Sequence, residues 1–120
     1  QGEKIRVTTE IKNHSDAPVT IWHTNYFMNH MIVVRDEESR EPELSNGGRA
    51  GRLEFSPHGS RDRTVPEILG PGKSSIGGGE DLTSLYRLAP GRYKVSVTYD
   101  DRHGPTPLRV ASKWTWFEVK

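Results

Sequence analysis

Four side chains that suit a soft metal ion stand close together: His23, Met28, His30 and Met31. Imidazole combined with thioether is the donor set of copper. Strand alternation sets Met31 on the opposite face from Met28 and His30, and the spacing matches no copper signature, so packing is the reading adopted. Ser56, His58 and Asp62 supply the residue types of a nucleophilic triad. Nothing around them marks a strained elbow or an oxyanion hole. Gly77-Gly78-Gly79 is followed by Glu80 and Asp81 rather than by Lys-Ser/Thr. Carboxylates there would repel phosphate, so the run reads as a flexible hinge and not as a phosphate cradle. No His-Glu-x-x-His occurs in the chain. No catalytic, cofactor-binding or metal-binding residue is expected, and the protein reads as a non-enzyme.

Trp114 and Trp116 are the other residues with a chemical use. If Thr115, Phe117 and Val119 face inward on the closing strand, both indoles face outward. Met31 and Val33 then share that outer face two strands away. Trp is enriched at binding hot spots, and a contiguous apolar patch on a domain surface marks a partner. The alternative is a bulge near Lys113 that swaps the register and buries both rings. Sequence leaves the two open.

The elements that position these residues are strands, because apolar and polar residues alternate along most of the chain. Ile5, Val7, Thr9 and Ile11 share one parity, which predicts a first strand over 4–12. Asn13 to Pro18 is a turn cluster. Val19–His23 and His30–Asp36 are the second and third strands, with Ile32 and Val34 on one face of the latter. Residues 37–63 read as one long irregular loop containing a short strand near Leu53 and Phe55. Val65–Leu69 is another short strand, Gly70-Pro71-Gly72 a turn, and Ser74–Ile76 a strand that the glycines cut short. Asp81 is placed to cap a helical turn that buries Leu82 and Leu85. Residues 92–99 form the clearest strand, with Tyr93, Val95, Val97 and Tyr99 on one face, and 109–119 form the last.

The 120 residues suit one domain. Only 32% are apolar and 28% are charged, a balance that fits a thin sandwich with long polar loops better than a thick helical core. Basic and acidic residues nearly cancel, 17 against 16, so no phosphate-binding surplus is present and no nucleic acid is expected. Arg40, Arg49, Arg52, Arg61 and Arg63 crowd one segment, but Glu38, Glu41, Glu43 and Glu54 interleave with them. The absence of cysteine excludes disulfides and thiolate chemistry. No apolar run approaches the ~18 residues a membrane helix needs. A chain that begins at Gln1 suggests a removed upstream segment, and a secreted or periplasmic location is the expectation.

Leu88-Ala89-Pro90-Gly91-Arg92-Tyr93 carries the most fold information. Pro90 presets φ and Gly91 permits the turn before the strand. Tyr93 is then placed as a tyrosine corner, its hydroxyl bonding backbone a few residues upstream while Leu88 buries beneath it. The expected fold is an all-β, immunoglobulin-like Greek-key β-sandwich of about seven strands. Asn13-His14-Ser15-Asp16-Ala17-Pro18-Val19, Leu69-Gly70-Pro71-Gly72, Asp81-Leu82 to Leu88, Pro90 to Val95 and Phe117 to Val119 resemble the motifs of bacterial immunoglobulin-like domains. Similar modules accompany deuterolysin-type metallopeptidases, and the intracellular proteinase inhibitor family of bacilli is a looser likeness. The resemblance covers most of the chain outside 37–63. It implies a protein-interaction or structural accessory module, with another protein or a neighbouring domain as partner. Proteinase inhibition through the 37–63 loop and carbohydrate binding by the tryptophan pair are the alternative functions.

Overall fold

A computed structural model describes residues 4–57, 65–102 and 108–120. Among them strands dominate. Eight are present: β1 (Arg6–Lys12), β2 (Val19–His23), β3 (His30–Asp36), β4 (Val65–Leu69), β5 (Ser74–Asp81), β6 (Gly91–Asp101), β7 (Leu108–Ala111) and β8 (Thr115–Val119). Three short helices, α1 (Tyr26–Asn29), α2 (Asn46–Glu54) and α3 (Leu82–Leu85), lie between them. β1 pairs with β5, β2 pairs with β4, and β6 pairs with β3 on one side and with β7 and β8 on the other, all antiparallel.

The alternation read from sequence is realised in the burial. Val7, Thr9 and Ile11 turn inward on β1 while their neighbours are exposed. Ile32, Val34, Tyr93 and Val97 pack with Leu82, Leu85 and Tyr86 in one core cluster. Ile21, Leu69 and Tyr99 form a second. Tyr93 donates its hydroxyl hydrogen to the Ala89 carbonyl at 2.7 Å, the upstream bond its position implied. Half-buried Leu88 packs against the first cluster, and Gly91 opens β6 at φ 154°, a value side chains rarely allow. Asp81 caps α3 by accepting from the Thr83 N–H.

The turn cluster at 13–18 proves to be an anchor. The buried amide of Asn13 donates to the carbonyls of Ala17 and Leu69, and its side-chain oxygen accepts from the Ser15 N–H and hydroxyl. Its backbone bonds Lys73 and Gly72. One residue therefore clamps the β1–β2 turn to the β4–β5 turn.

Two elements differ from the sequence reading. The glycine run is not a hinge: β5 continues through it to Asp81, paired with β1. Gly78 and Gly79 sit at φ 91° and 93° beside a register shift between Val7 and Thr8, and a Cβ on Gly78 would lie 3.1 Å from the Tyr26 ring. Gly78 is there to let that ring in, and Gly79 to take up the left-handed backbone beside it. The second difference lies within 37–63, where α2 replaces the expected irregular loop and the short strand at Leu53 and Phe55. Ser45 caps α2 through the Gly48 N–H. Gly48 presses on the Leu85 carbonyl, and Gly51 meets the face of the Phe27 ring. Glycine and arginine content suggested a loop because helix propensity is low there; docking against α3 overrides it.

α2 also closes one edge of the large sheet. The Arg52 guanidinium donates to the Ile32 carbonyl, to Glu41 and to the Tyr86 oxygen. Tyr86 accepts from the Val34 N–H at 3.3 Å. Outward backbone groups of β3 thus bond side chains and cannot pair with a further strand. Burial opposes ionisation of Glu41, but its bonds to Arg52 and Tyr86 outweigh that and hold the carboxyl below the usual range. Burial and the Glu41 bond push the Tyr86 hydroxyl well above the ordinary tyrosine value.

Asn13→Ala removes four side-chain hydrogen bonds and is expected to cost about 1–3 kcal/mol in urea denaturation. Gly48→Ala would place a Cβ 1.9 Å from the Leu85 oxygen, and overpacking of that kind is expected to cost about 1–3 kcal/mol in the same assay.

Candidate functional site

β6 has two strands along one side because the chain opposite it is interrupted. β8 covers Gly91 to Val95 and β7 covers Thr98 to Asp101. Between them Ser96 and Val97 oppose Ser112, Lys113 and Trp114, which is one residue too many and makes a bulge. Ser112 pins it. Its N–H donates to the Val97 carbonyl at 2.8 Å, its hydroxyl oxygen accepts from the Val97 N–H at 2.9 Å, and its carbonyl accepts from the Ser96 hydroxyl at 3.1 Å.

A bulge does lie near Lys113, where the alternative reading placed one, but its effect is the reverse of burying the indoles. Before it, Val110 lies opposite inward-facing Tyr99. Beyond it, Phe117 lies opposite inward-facing Tyr93 and stacks on that ring, centroids 5.7 Å apart. Inward parity changes from even to odd numbers across the extra residue. Without it Trp114 and Trp116 would share the sheet face of Val110 and Tyr99. With it both indoles stand outside, each 43% exposed.

They do not stand bare. The Arg92 guanidinium lies 4.3 Å from the centre of the Trp116 ring, and the Lys94 ammonium lies 5.0 Å from Trp114 and 5.6 Å from Trp116. Cation–π contacts at exposed sites are worth about 0.5–1 kcal/mol each, enough to order the side chains without hiding them. Arg35 continues the row beyond Lys94 on β3. In the half of the face that carries the indoles, Arg35, Arg92 and Lys94 outnumber Glu118, the cross-strand neighbour of Arg92. The surface is aromatic and cationic at once.

Met31 and Val33 do lie on the same sheet, two strands from β8, but they do not extend an apolar patch. Val33 is opposite Ser96 and Met31 opposite Thr98, so polar β6 side chains separate them from the indoles. Both are half-buried, and Met31 lines the narrow space beneath α2 with Phe27, Leu44 and Phe55. The contiguous apolar surface expected from strand parity is therefore corrected to a tryptophan pair set among cations. Sequence reasoning missed more exposed aliphatics, Leu53, Ile68 and Ile76. Ile68 pairs across to Thr20 and Ile76 to Glu10, and single exposed aliphatics of this kind are ordinary surface.

The soft-metal residues are engaged separately. His23 Nε2 bonds Glu67 at 2.6 Å on the exterior, and the Met28 sulfur accepts from the Thr24 hydroxyl. His30 lies at a cavity of about 130 Å³ shared with Thr9, Trp22, Tyr26 and Tyr99. Its ring stacks on Tyr26 at 4.0 Å, and Nδ1 faces two acceptors, the Tyr26 carbonyl and Asn29 Oδ1. Nδ1 therefore carries the proton. Among the described residues no group of three or more His, Cys, Asp or Glu could hold a metal. Of the serine, histidine and acid set, His58 and Asp62 lie outside the described residues, as do Arg61 and Arg63 of the arginine cluster. Arg40 pairs with Asp36 and Glu38, and Arg52 with Glu41.

No helix among the described residues is long and apolar enough to cross a membrane. Compared with known proteins, the chain matches no protein-family model, no curated protein and no solved structure.

Burial lowers the His30 pKa to about 4, against the opposing effect of the Tyr26 carbonyl. A histidine whose folded pKa is depressed binds its proton more readily when unfolded. Its stabilising contribution is complete above pH ~6.5 and is lost as pH falls from there toward 4. Stability measured by urea denaturation should decline between pH 6.5 and 4.5, above the range where Glu41 and Glu67 titrate. His30→Phe should flatten the curve in that window.

Proposed function

We propose that this chain is a non-catalytic interaction module of immunoglobulin-like type, which docks onto another protein or a neighbouring domain through the outer face of β3, β6 and β8. The observation that carries the reading is the bulge at 112–114, which expends a strand irregularity to keep two indoles outside. Tryptophan on a surface is costly to leave in water, and a rigid ring with ordered cations beside it is what binding hot spots are made of. The proposal extends to an accessory subunit of a secreted or periplasmic assembly, supported by the motif likeness and the tyrosine corner at Tyr93.

Inhibition of a proteinase by an extended 37–63 loop has less to rest on, because residues 46–54 are helical and their glycines are pressed against α3 and Phe27. Carbohydrate stacking would need open ring faces, and Arg92 and Lys94 lie over these rings.

Trp116→Ala should leave the thermal midpoint within a few degrees of the parent, because the ring lies outside the core. Association with the native partner, isolated by affinity capture and measured by titration calorimetry, should weaken by about tenfold or more, the scale of a hot-spot residue. Unchanged affinity would remove this face from the reading.

A further inference from the structure

The two edges of the large sheet are treated differently. α2, Tyr86 and Arg52 close the β3 edge, whereas β8 pairs only with β6 and no strand lies beyond it among the described residues. β1 is likewise paired on one side only, with β5. Between these two strands runs a cleft of about 330 Å³. Consecutive β1 residues from Arg6 to Glu10 form one wall, Ser112 and Thr115 the other, and Val95 and Val97 the floor. Inward-facing core residues are thus reached from outside at the place where two strand edges lack neighbours.

We propose that this opening receives one extended strand of a partner protein, in which apolar side chains alternate with acidic ones. The inference rests on the docking face proposed above and states how that face is used. A strand beside β8 sends alternate side chains to opposite sides of the sheet. Those pointing in would cover Val95 and Val97 and require apolar groups. Those pointing out would stand beside Trp114 and Trp116, within reach of the cationic Arg92 and Lys94, and require carboxylates. Main-chain bonds to the open edge supply affinity and the alternating pockets supply specificity. A second copy of this chain fits poorly, because its β8 offers one carboxylate, Glu118, where the cations of β6 call for a row of them.

The test uses the whole chain and two ten-residue peptides, one alternating valine with glutamate and one alternating valine with lysine. The glutamate peptide should bind about tenfold or more tightly than its lysine twin, and Lys94→Glu should weaken it about fivefold, the scale of one exposed charge pair. Hydrogen exchange should slow at alternate amides of Thr115–Val119 on binding, a change that contact with the face alone would not produce. Equal binding of the two peptides overturns the proposal. So does binding without new protection in β8, which leaves the docking face standing and removes only the strand addition. A homodimer in sedimentation that protects β8 by itself would also overturn it, by assigning the edge to a second copy.

Discussion

A single surplus residue between β7 and β8 decides what this protein shows to its surroundings. Side chains of a strand alternate with a period of two, so a shift of one exchanges the inner and outer sets completely. Three residues from Ser112 to Trp114 oppose two on β6, and the Ser112 side chain and backbone hold the mismatch in place. Phe117 and Val119 reach the core because of it, and Trp114 and Trp116 do not. A bulge is tolerated here because β7 and β8 lie at the margin of the sheet, where among the described residues no further strand has to match the irregular spacing.

The same sheet is closed at its other margin by polar chemistry. Arg52, Glu41 and Tyr86 form a compact network over the β3 edge, and each partner satisfies another. Arg52 and Glu41 are partly buried and each member holds another in place, so the network orders this edge best when complete. Its position requires α2 to be helical and flush against α3 and the Phe27 ring, which is why Gly48 and Gly51 are glycines. The asymmetry between a sealed edge and an unsealed one follows from where α2 docks, and it confines strand pairing to the β8 side.

Much of the strand framework was legible from residue pattern alone. Alternation along β1, β3 and β6 reports which face is buried, because burial on one face of a sheet imposes a two-residue period on composition. Asp81 and Tyr93 were legible for a similar reason: a cap and a corner are made by one side chain and backbone a few residues away. Asn13 was visible only as a turn residue, since its bond to Leu69 joins positions 56 apart. α2 was missed because its glycines and arginines are poor evidence for a helix until Leu85, Phe27 and the β3 edge are brought against them. The glycines of β5 read as a hinge because the Tyr26 ring that lies against Gly78 is remote in sequence.

Sequence by itself determined that the chain is mostly β, that Val34, Tyr93, Val97 and Tyr99 turn inward, that Tyr93 anchors the start of β6, and that two tryptophans lie on the closing segment. Each of these follows from local spacing and local hydrogen bonding. Tertiary structure alone decided that the indoles face outward among Arg92 and Lys94, that Met31 and Val33 stand apart from them, and that α2 covers one sheet edge while no described strand lies beyond the other. Those outcomes depend on register between strands distant along the chain, and register is set by pairing energies summed over both partners, which no single stretch of residues contains.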